Sequence, residues 1–187
     1  MTQTEILERF SQTAEAAGAV MVTVDSAEAV AAYVAARVSG PVMLPAFASG
    51  ERLKLKEALE KEGLFVITEP HRADVLNAAA GVTGVNFAIA DTGSLVLDST
   101  AEEIRLATTF PPQHFALLDP DKIVVDGLAA VPPMRELHRR DGRNFVAYIT
   151  GPSRTADIER VLTIGVHGPK QLHILLVSGL SRDPLEM

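Results

Sequence analysis

Short apolar segments alternate with amphipathic segments along most of the chain, and this alternation predicts an α/β fold. The apolar segment Val20–Val24 is rich in β-branched residues, which favour a strand. Asp25 then stands where a helix cap is expected, and Val30, Val34 and Val38 share one face of the helix that would follow. Repeated strand–helix units of this length indicate a Rossmann-like, mostly parallel sheet with helices on both faces.

The same pattern predicts one domain over residues 1–187, whose first helix, at about 4–17, could lie at its periphery. Asp91-Thr92-Gly93-Ser94 stands between two apolar segments and is compatible with a hairpin turn, so some strands could be antiparallel. Further strands are predicted at 42–44, 64–67, 86–90, 95–97, 115–118, 123–125, 145–149 and 172–177, and further helices at 49–62, 74–81, 102–108 and 128–140.

A polar segment at 151–170 separates two apolar runs and is the richest source of chemical groups in the chain. The pattern predicts a strand, a short helix capped by Thr155, and a second strand. Thr155 and Asp157 are candidate ligand-binding residues too, but helix capping also accounts for Thr155 and for the acidic residues after it. It does not account for Gly151, Ser153 and Arg154, which we predict to bind an anionic ligand through hydroxyl, guanidinium and backbone N–H groups.

Two further polar clusters are predicted at the ends of apolar segments. Asp91, Thr92, Gly93 and Ser94 follow a predicted central strand, where a carboxylate could act as a base or bind a hydroxyl. Open α/β sheets bind ligands at the carboxyl ends of their strands, so these clusters are expected to meet there. The remaining candidates are two histidines in Gly/Pro-rich surroundings, His114 and His167, the second with Gly168 beside it. Each is a candidate for proton transfer, and the alternative is that it is an ordinary surface residue.

Composition narrows the classes of function. The chain has no cysteine, so it cannot supply thiolate ligands to zinc or to an iron–sulfur cluster, and its histidines show no metal-ligand spacing. A net charge of −7 and the absence of Trp argue against non-specific nucleic-acid binding. No apolar run is long enough to span a bilayer and no secretion signal is visible, so a cytoplasmic protein is expected.

Four motifs together resemble the LUD-domain family, and within it the lactate utilisation protein C (LutC) group. The resemblance is best over 80–177, and the motifs that carry it are Ala-Asp-Thr-Gly-Ser-Leu-Val-Leu at 90–97, Pro-Gln-His at 112–114, Gly-Pro-Ser-Arg-Thr-Ala-Asp-Ile-Glu at 151–159 and Gly-Val-His-Gly-Pro-Lys at 165–170. The resemblance implies a fold similar to the NagB/RpiA/CoA-transferase group. Asp91 stands where many members have the longer Glu, which argues against a nucleophilic role for it.

The resemblance also implies a role in oxidising L-lactate to pyruvate together with partner subunits that carry iron–sulfur clusters. In that case Arg154 would bind a small carboxylate, His114 or His167 would exchange a proton, and Asp91 would orient the substrate. Two alternatives stay open: a free-standing enzyme for a sugar phosphate or CoA ester, and a regulatory or assembly module. The oligomeric state, a homo-oligomer included, is equally open.

Overall fold

The computed structural model describes residues 1–140, 144–156, 162–165 and 167–187, and its largest element is a six-stranded parallel sheet. The strand order is β1-β12-β7-β4-β2-β3, so the predicted parallel sheet is confirmed. The strands of this main sheet are β1 (Val20–Val24), β2 (Val42–Met43), β3 (Val66–Ile67), β4 (Ala80–Gly84), β7 (Gln113–Leu118) and β12 (Gln171–Val177).

A smaller second sheet contains the predicted hairpin. Its order is β8-β5-β6-β9, and β5 pairs with β6 in antiparallel fashion through the turn at residues 90–93. The strands of this sheet are β5 (Phe87–Ile89), β6 (Ser94–Asp98), β8 (Ile123–Val124) and β9 (Val146–Ile149). Two further strands, β10 (Arg154–Ala156) and β11 (Leu162–Ile164), form a separate antiparallel pair.

Helices pack on both faces of the main sheet, as predicted. Apolar residues of α2 and α4 are buried against one face, and those of α1 and α5 are buried on the other, where the second sheet also packs. Helix α6 packs on the outer side of the second sheet through Leu137. The helices are α1 (Gln3–Ala16), α2 (Ala27–Ala35), α3 (Ala48–Arg52), α4 (Leu55–Lys61), α5 (Glu102–Thr109) and α6 (Val131–Arg140).

The first helix is bound closely to the rest of the molecule at its C-terminal half. Phe10 and Ala14 are fully buried in the core between the two sheets. The Thr13 hydroxyl donates a hydrogen bond to the Ala90 carbonyl at 2.7 Å, which joins α1 to the end of β5. Helix α1 therefore contributes to the core that supports the second sheet.

Several predicted elements differ from those observed. The helix predicted after Thr155 is wrong at its start, because Thr155 lies in β10 and pairs with Thr163 of β11, where β-branched side chains favour a strand. The helix predicted at 74–81 is one 3₁₀ turn at Asp74–Leu76, after which the chain enters β4. The helix predicted at 49–62 is broken at Lys54, whose φ of 52° is left-handed. Ser26, rather than Asp25, caps α2.

Candidate functional site

A pocket of about 350 Å³ gathers half of the predicted site residues. It lies beside His114 and Leu172, the second residues of β7 and β12, and beside the loop that follows β9. The expectation that the clusters meet at the carboxyl ends of the main sheet is therefore wrong, because this pocket is at the amino ends of β7 and β12. Its lining includes Thr108, Thr109, His114, Tyr148, Thr150, Gly151, Ser153, Arg154, His167 and Gly168.

Two predicted loop segments, 151–153 and 167–169, form one wall of this pocket. The Ser153 N–H donates to the Pro169 carbonyl at 2.9 Å, and the Gly165 N–H donates to the Ser153 carbonyl at 2.9 Å. Gly168 has no room for a side chain, since a Cβ there would lie 2.9 Å from the Cβ of Ser153. Backbone hydrogen bonds thus place Ser153, Gly168 and His167 together, and His167 is exposed at the pocket surface.

His114 lies on the buried side of the pocket. This position differs from the accessible loop that the sequence predicts for it. Its side chain is fully buried, and its Nε2 lies 2.9 Å from the hydroxyl of Thr83 on the adjacent strand. Its Nδ1 is buried and has no hydrogen-bond partner among the residues that the structure describes. Burial, and secondarily the nearby His173, lowers the pKa of His114 to about 4, so the ring is neutral at pH 7.

Arg154 lines the pocket but is also bonded to the end of α1. Its guanidinium donates a hydrogen bond to the carbonyl of Ala17, which is a free carbonyl at the C-terminus of that helix. Gly151 approaches the same place with a φ of +72°, and a Cβ there would collide with the Ala17 carbonyl. Both residues therefore fix the 151–154 loop to α1.

The Asp91–Ser94 turn reaches the pocket only through hydroxyl groups. Asp91 forms an ion pair with Arg9 of α1 and does not line the pocket. The Ser94 hydroxyl lies 2.7 Å from the hydroxyls of both Thr92 and Thr150, and Thr150 lines the pocket. The structure thus brings His114, Ser153, Arg154, His167 and Gly168 together, places Asp91 elsewhere, and links Thr92 and Ser94 to the pocket indirectly.

Two further predicted residues have positions outside the pocket. Gly93 has a φ of +64° and packs so closely on α1 that a Cβ would collide with the Ala14 backbone, so its small size is needed for helix packing. Thr155 lies in β10 and does not line the pocket. Asp157 lies outside the described residues.

Sequence reasoning missed Thr83, Thr108, Thr150 and Tyr148. Thr83 is a fully buried hydroxyl in an otherwise apolar strand, and that isolated polar position was the available signal, because a buried hydroxyl needs a hydrogen-bond partner. Tyr148 is 55% exposed on β9, and nothing in its sequence context distinguishes it from a surface aromatic residue.

Neither a metal cluster nor a membrane helix is found in the part of the chain that the structure describes. Within residues 1–140, 144–156, 162–165 and 167–187, no three His, Cys, Asp or Glu side chains are grouped so that they could hold a metal ion. None of the helices in the same ranges is long and apolar enough to cross a bilayer.

Comparison with known proteins identifies the family. The model of the LUD domain matches residues 7–177, which is most of the chain. The chain belongs to the LUD-domain family. A relative from Anoxybacillus flavithermus named lactate utilization protein C is 29% identical over 184 residues, which are 95% of this chain and 82% of that protein. Lactate utilization protein B of Shouchella clausii is 31% identical over 114 residues, covering 58% of this chain and 22% of that protein.

A solved structure shares the fold of this chain. The crystal structure of a DUF162 family protein from Deinococcus radiodurans superimposes with a TM-score of 0.70, covers 95% of this chain and 99% of that one, and is 24% identical in sequence. At this identity the likeness shows the fold. Several curated relatives are longer than the matched region, which spans 43% to 50% of their length.

Proposed function

We propose that this LUD-domain chain is a component of a system that oxidises L-lactate to pyruvate, together with partner proteins that carry iron–sulfur clusters. A role in lactate utilisation is supported by relatives named lactate utilization protein C and lactate utilization protein B. The absence of cysteine in this chain supports the division of labour, because thiolates are the usual ligands of such clusters.

The observation that carries the proposal is His114, a buried and neutral histidine that lines the pocket and whose Nδ1 has no hydrogen-bond partner among the described residues. Oxidation of lactate removes two electrons and two protons, and one proton must leave the hydroxyl group. In the tautomer whose Nε2–H donates a hydrogen bond to the Thr83 hydroxyl oxygen, Nδ1 carries a lone pair and can accept the proton of the lactate hydroxyl. Both electrons, with the second proton, would pass to an acceptor in a partner subunit.

The carboxylate of the substrate is proposed to bind at the 151–154 loop. The Ser153 hydroxyl and the exposed Arg154 guanidinium are the donors at this wall of the pocket. Arg154 would have to exchange its bond with the Ala17 carbonyl for the ligand, or else act by holding the loop in place. His167, at the surface of the same pocket, is the second candidate for proton transfer.

Growth on L-lactate tests the proposal in a strain that depends on this chain. His114→Gln keeps a group that can bond to Thr83 but removes the base, so we expect growth on lactate to fail while the purified variant remains folded. His138→Gln is the matched control, because His138 is an exposed histidine that contacts Asn144 away from the pocket. Normal growth of His114→Gln would overturn the proposed base.

Arg154→Ala separates ligand binding from assembly. We expect it to weaken binding of L-lactate and pyruvate to the purified system, measured by titration, without loss of co-purification with the iron–sulfur partners. Arg139→Ala, at an exposed arginine paired with Glu136, is the control. Unimpaired growth and binding would show that Arg154 does not hold the carboxylate, whereas loss of the partners alone would favour the assembly role.

A further inference from the structure

The covering segment, Leu180–Met187, fills a crevice at the carboxyl edge of the main sheet, opposite the pocket described above. The chain leaves β2 towards α4 on one face and leaves β4 towards the second sheet on the other face. Open α/β sheets bind ligands at such a switch point. Here the Ser49 N–H donates to the Met187 carbonyl at 3.0 Å, and a Cβ on Gly84 would lie 2.8 Å from the Met187 carbonyl carbon.

Two cations in this crevice bind the same residue of the covering segment. The Arg52 guanidinium pairs with the Glu186 carboxylate, and the Lys122 ammonium donates to the Glu186 backbone carbonyl at 2.5 Å. Lys122 is only 4% exposed, and its burial lowers the pKa of its ammonium group. Its other hydrogen bond among the described residues goes to the Val85 carbonyl at 3.4 Å, so its positive charge has no direct carboxylate partner there.

The nearby Asp119 does not neutralise Lys122 through a direct ion pair. It is 2% exposed, and its two carboxylate oxygens accept the N–H groups of Asp121 at 3.0 Å and Ser181 at 3.1 Å. The carboxylates near Lys122 are those of Glu186, Asp119 and Asp183, and none of them bonds to it directly. A buried ammonium whose hydrogen bonds go only to neutral carbonyl groups is an unusual arrangement, because burial of a charge is costly without a bonded counter-charge. An anionic group in place of the Glu186 carbonyl would supply that counter-charge.

We propose that this crevice is a binding site for short dicarboxylates and that Glu186 is its internal occupant. The backbone carbonyl and the side-chain carboxylate of a glutamate residue are the two ends of a five-carbon skeleton. Glutarate has the same skeleton and carries a carboxylate at each end, so one end would pair with Arg52 and the other with the buried Lys122.

The covering segment is held by apolar packing of Leu180, Leu185 and Met187, and by polar contacts of a kind that a ligand can replace. The segment contains neither helix nor strand. Two of its contacts are surface ion pairs, Arg182 with Asp121 at 2.8 Å and Arg140 with Asp183 at 4.0 Å, and exposed pairs of this type are weak. Displacement would therefore expose Arg52 and Lys122 without opening the sheet.

Titration with a chain-length series of dicarboxylates, from malonate to adipate, tests this site on the full chain. We expect glutarate to bind best, and to speed the hydrogen exchange of the amides at 181–187. Glu186→Gln and Glu186→Ala should bind glutarate about fivefold more tightly than the native chain, because they remove the competing carboxylate. Arg52→Gln in the Glu186→Ala background should abolish binding.

Glu102→Ala is the matched control, since Glu102 also pairs with an arginine, Arg72, but lies in an exposed pair at the N-terminus of α5. It should leave glutarate binding unchanged. Any one of three results would overturn the proposal. The first is that glutarate does not bind, the second is that the series shows no preference for five carbons, and the third is that the hydrogen exchange of the amides at 181–187 does not change when glutarate saturates the protein. Because the proposed lactate pocket lies at the opposite edge of the sheet, failure here leaves the proposed function unaffected, and the reverse holds.

Discussion

At the scale of single residues, His114 shows how burial sets protonation. Its pKa is lowered to about 4 by burial, and that of His173 is lowered to about 4 by burial and the nearby Arg37. An unfolded chain binds protons at both histidines near pH 6.5. Between pH 6.5 and pH 4 the unfolded state therefore holds more protons than the folded state, and stability is lost as the pH falls through this window.

We expect the free energy of unfolding to decrease from pH 7 to pH 4.5, by up to about 3 kcal/mol from His114 alone. Urea denaturation at a series of pH values measures this. His114→Gln should reduce the slope and leave the share that belongs to His173. His138→Gln, at an exposed site, should leave the slope unchanged. An equal slope in the native chain and His114→Gln would contradict the buried neutral state.

The sequence predicts that His114 is a site residue but does not predict that it is buried. Pro111 and Pro112 precede it, and two prolines are typical of a loop, so an accessible position was expected. The strand in fact begins at Gln113, directly after the prolines, and pairs on both sides with β4 and β12. Whether a strand lies at the centre of a sheet depends on pairing with distant segments, which local sequence does not report.

At the scale of elements, the contact between β4 and α5 depends on a residue without a side chain. Gly81 of β4 faces the backbone of α5, and a Cβ there would overlap the Ala107 carbonyl oxygen. We expect Gly81→Ala to destabilise the protein by about 1–3 kcal/mol, or more if α5 cannot shift. Gly127→Ala is the control, because no atom lies within 4 Å of a Cβ at that position. Chemical denaturation compares the two, and equal stabilities would contradict this packing.

Elements with a strong local pattern were predicted well, and those decided by tertiary pairing were not. The β5–β6 hairpin was identified from Asp91-Thr92-Gly93-Ser94 because the turn and its flanking apolar residues are adjacent in sequence. The start of β10 at Arg154 was not, since Thr155 and the acidic residues that follow it in sequence equally suit a helix N-terminus. For the candidate site, the meeting of the 151–154 and 167–168 segments was expected, whereas Thr83 meets His114, and Thr150 meets Ser94, only through the fold.

At the scale of the whole molecule, α1 joins the core to the loops of the candidate site. Phe10 is fully buried between the sheets, while the C-terminal end of α1 contacts Gly93, Gly151 and Arg154. We expect Phe10→Ala to lower the free energy of unfolding by about 3–5 kcal/mol, measured by urea denaturation. Phe65→Ala, at a phenylalanine that is 68% exposed, should change it by less than about 0.5 kcal/mol. Similar losses in both variants would contradict the central position of α1.

The strand order has a consequence for protein synthesis. β12 pairs with β1 on one side and with β7 on the other, so it joins the first strand of the sheet to the rest. Until residue 177 has emerged from the ribosome, the nascent chain therefore has unpaired edges on both β1 and β7. Unpaired edges are templates for association with other chains. Chaperone contact during translation is accordingly expected to last until the strand at Gln171–Val177 emerges.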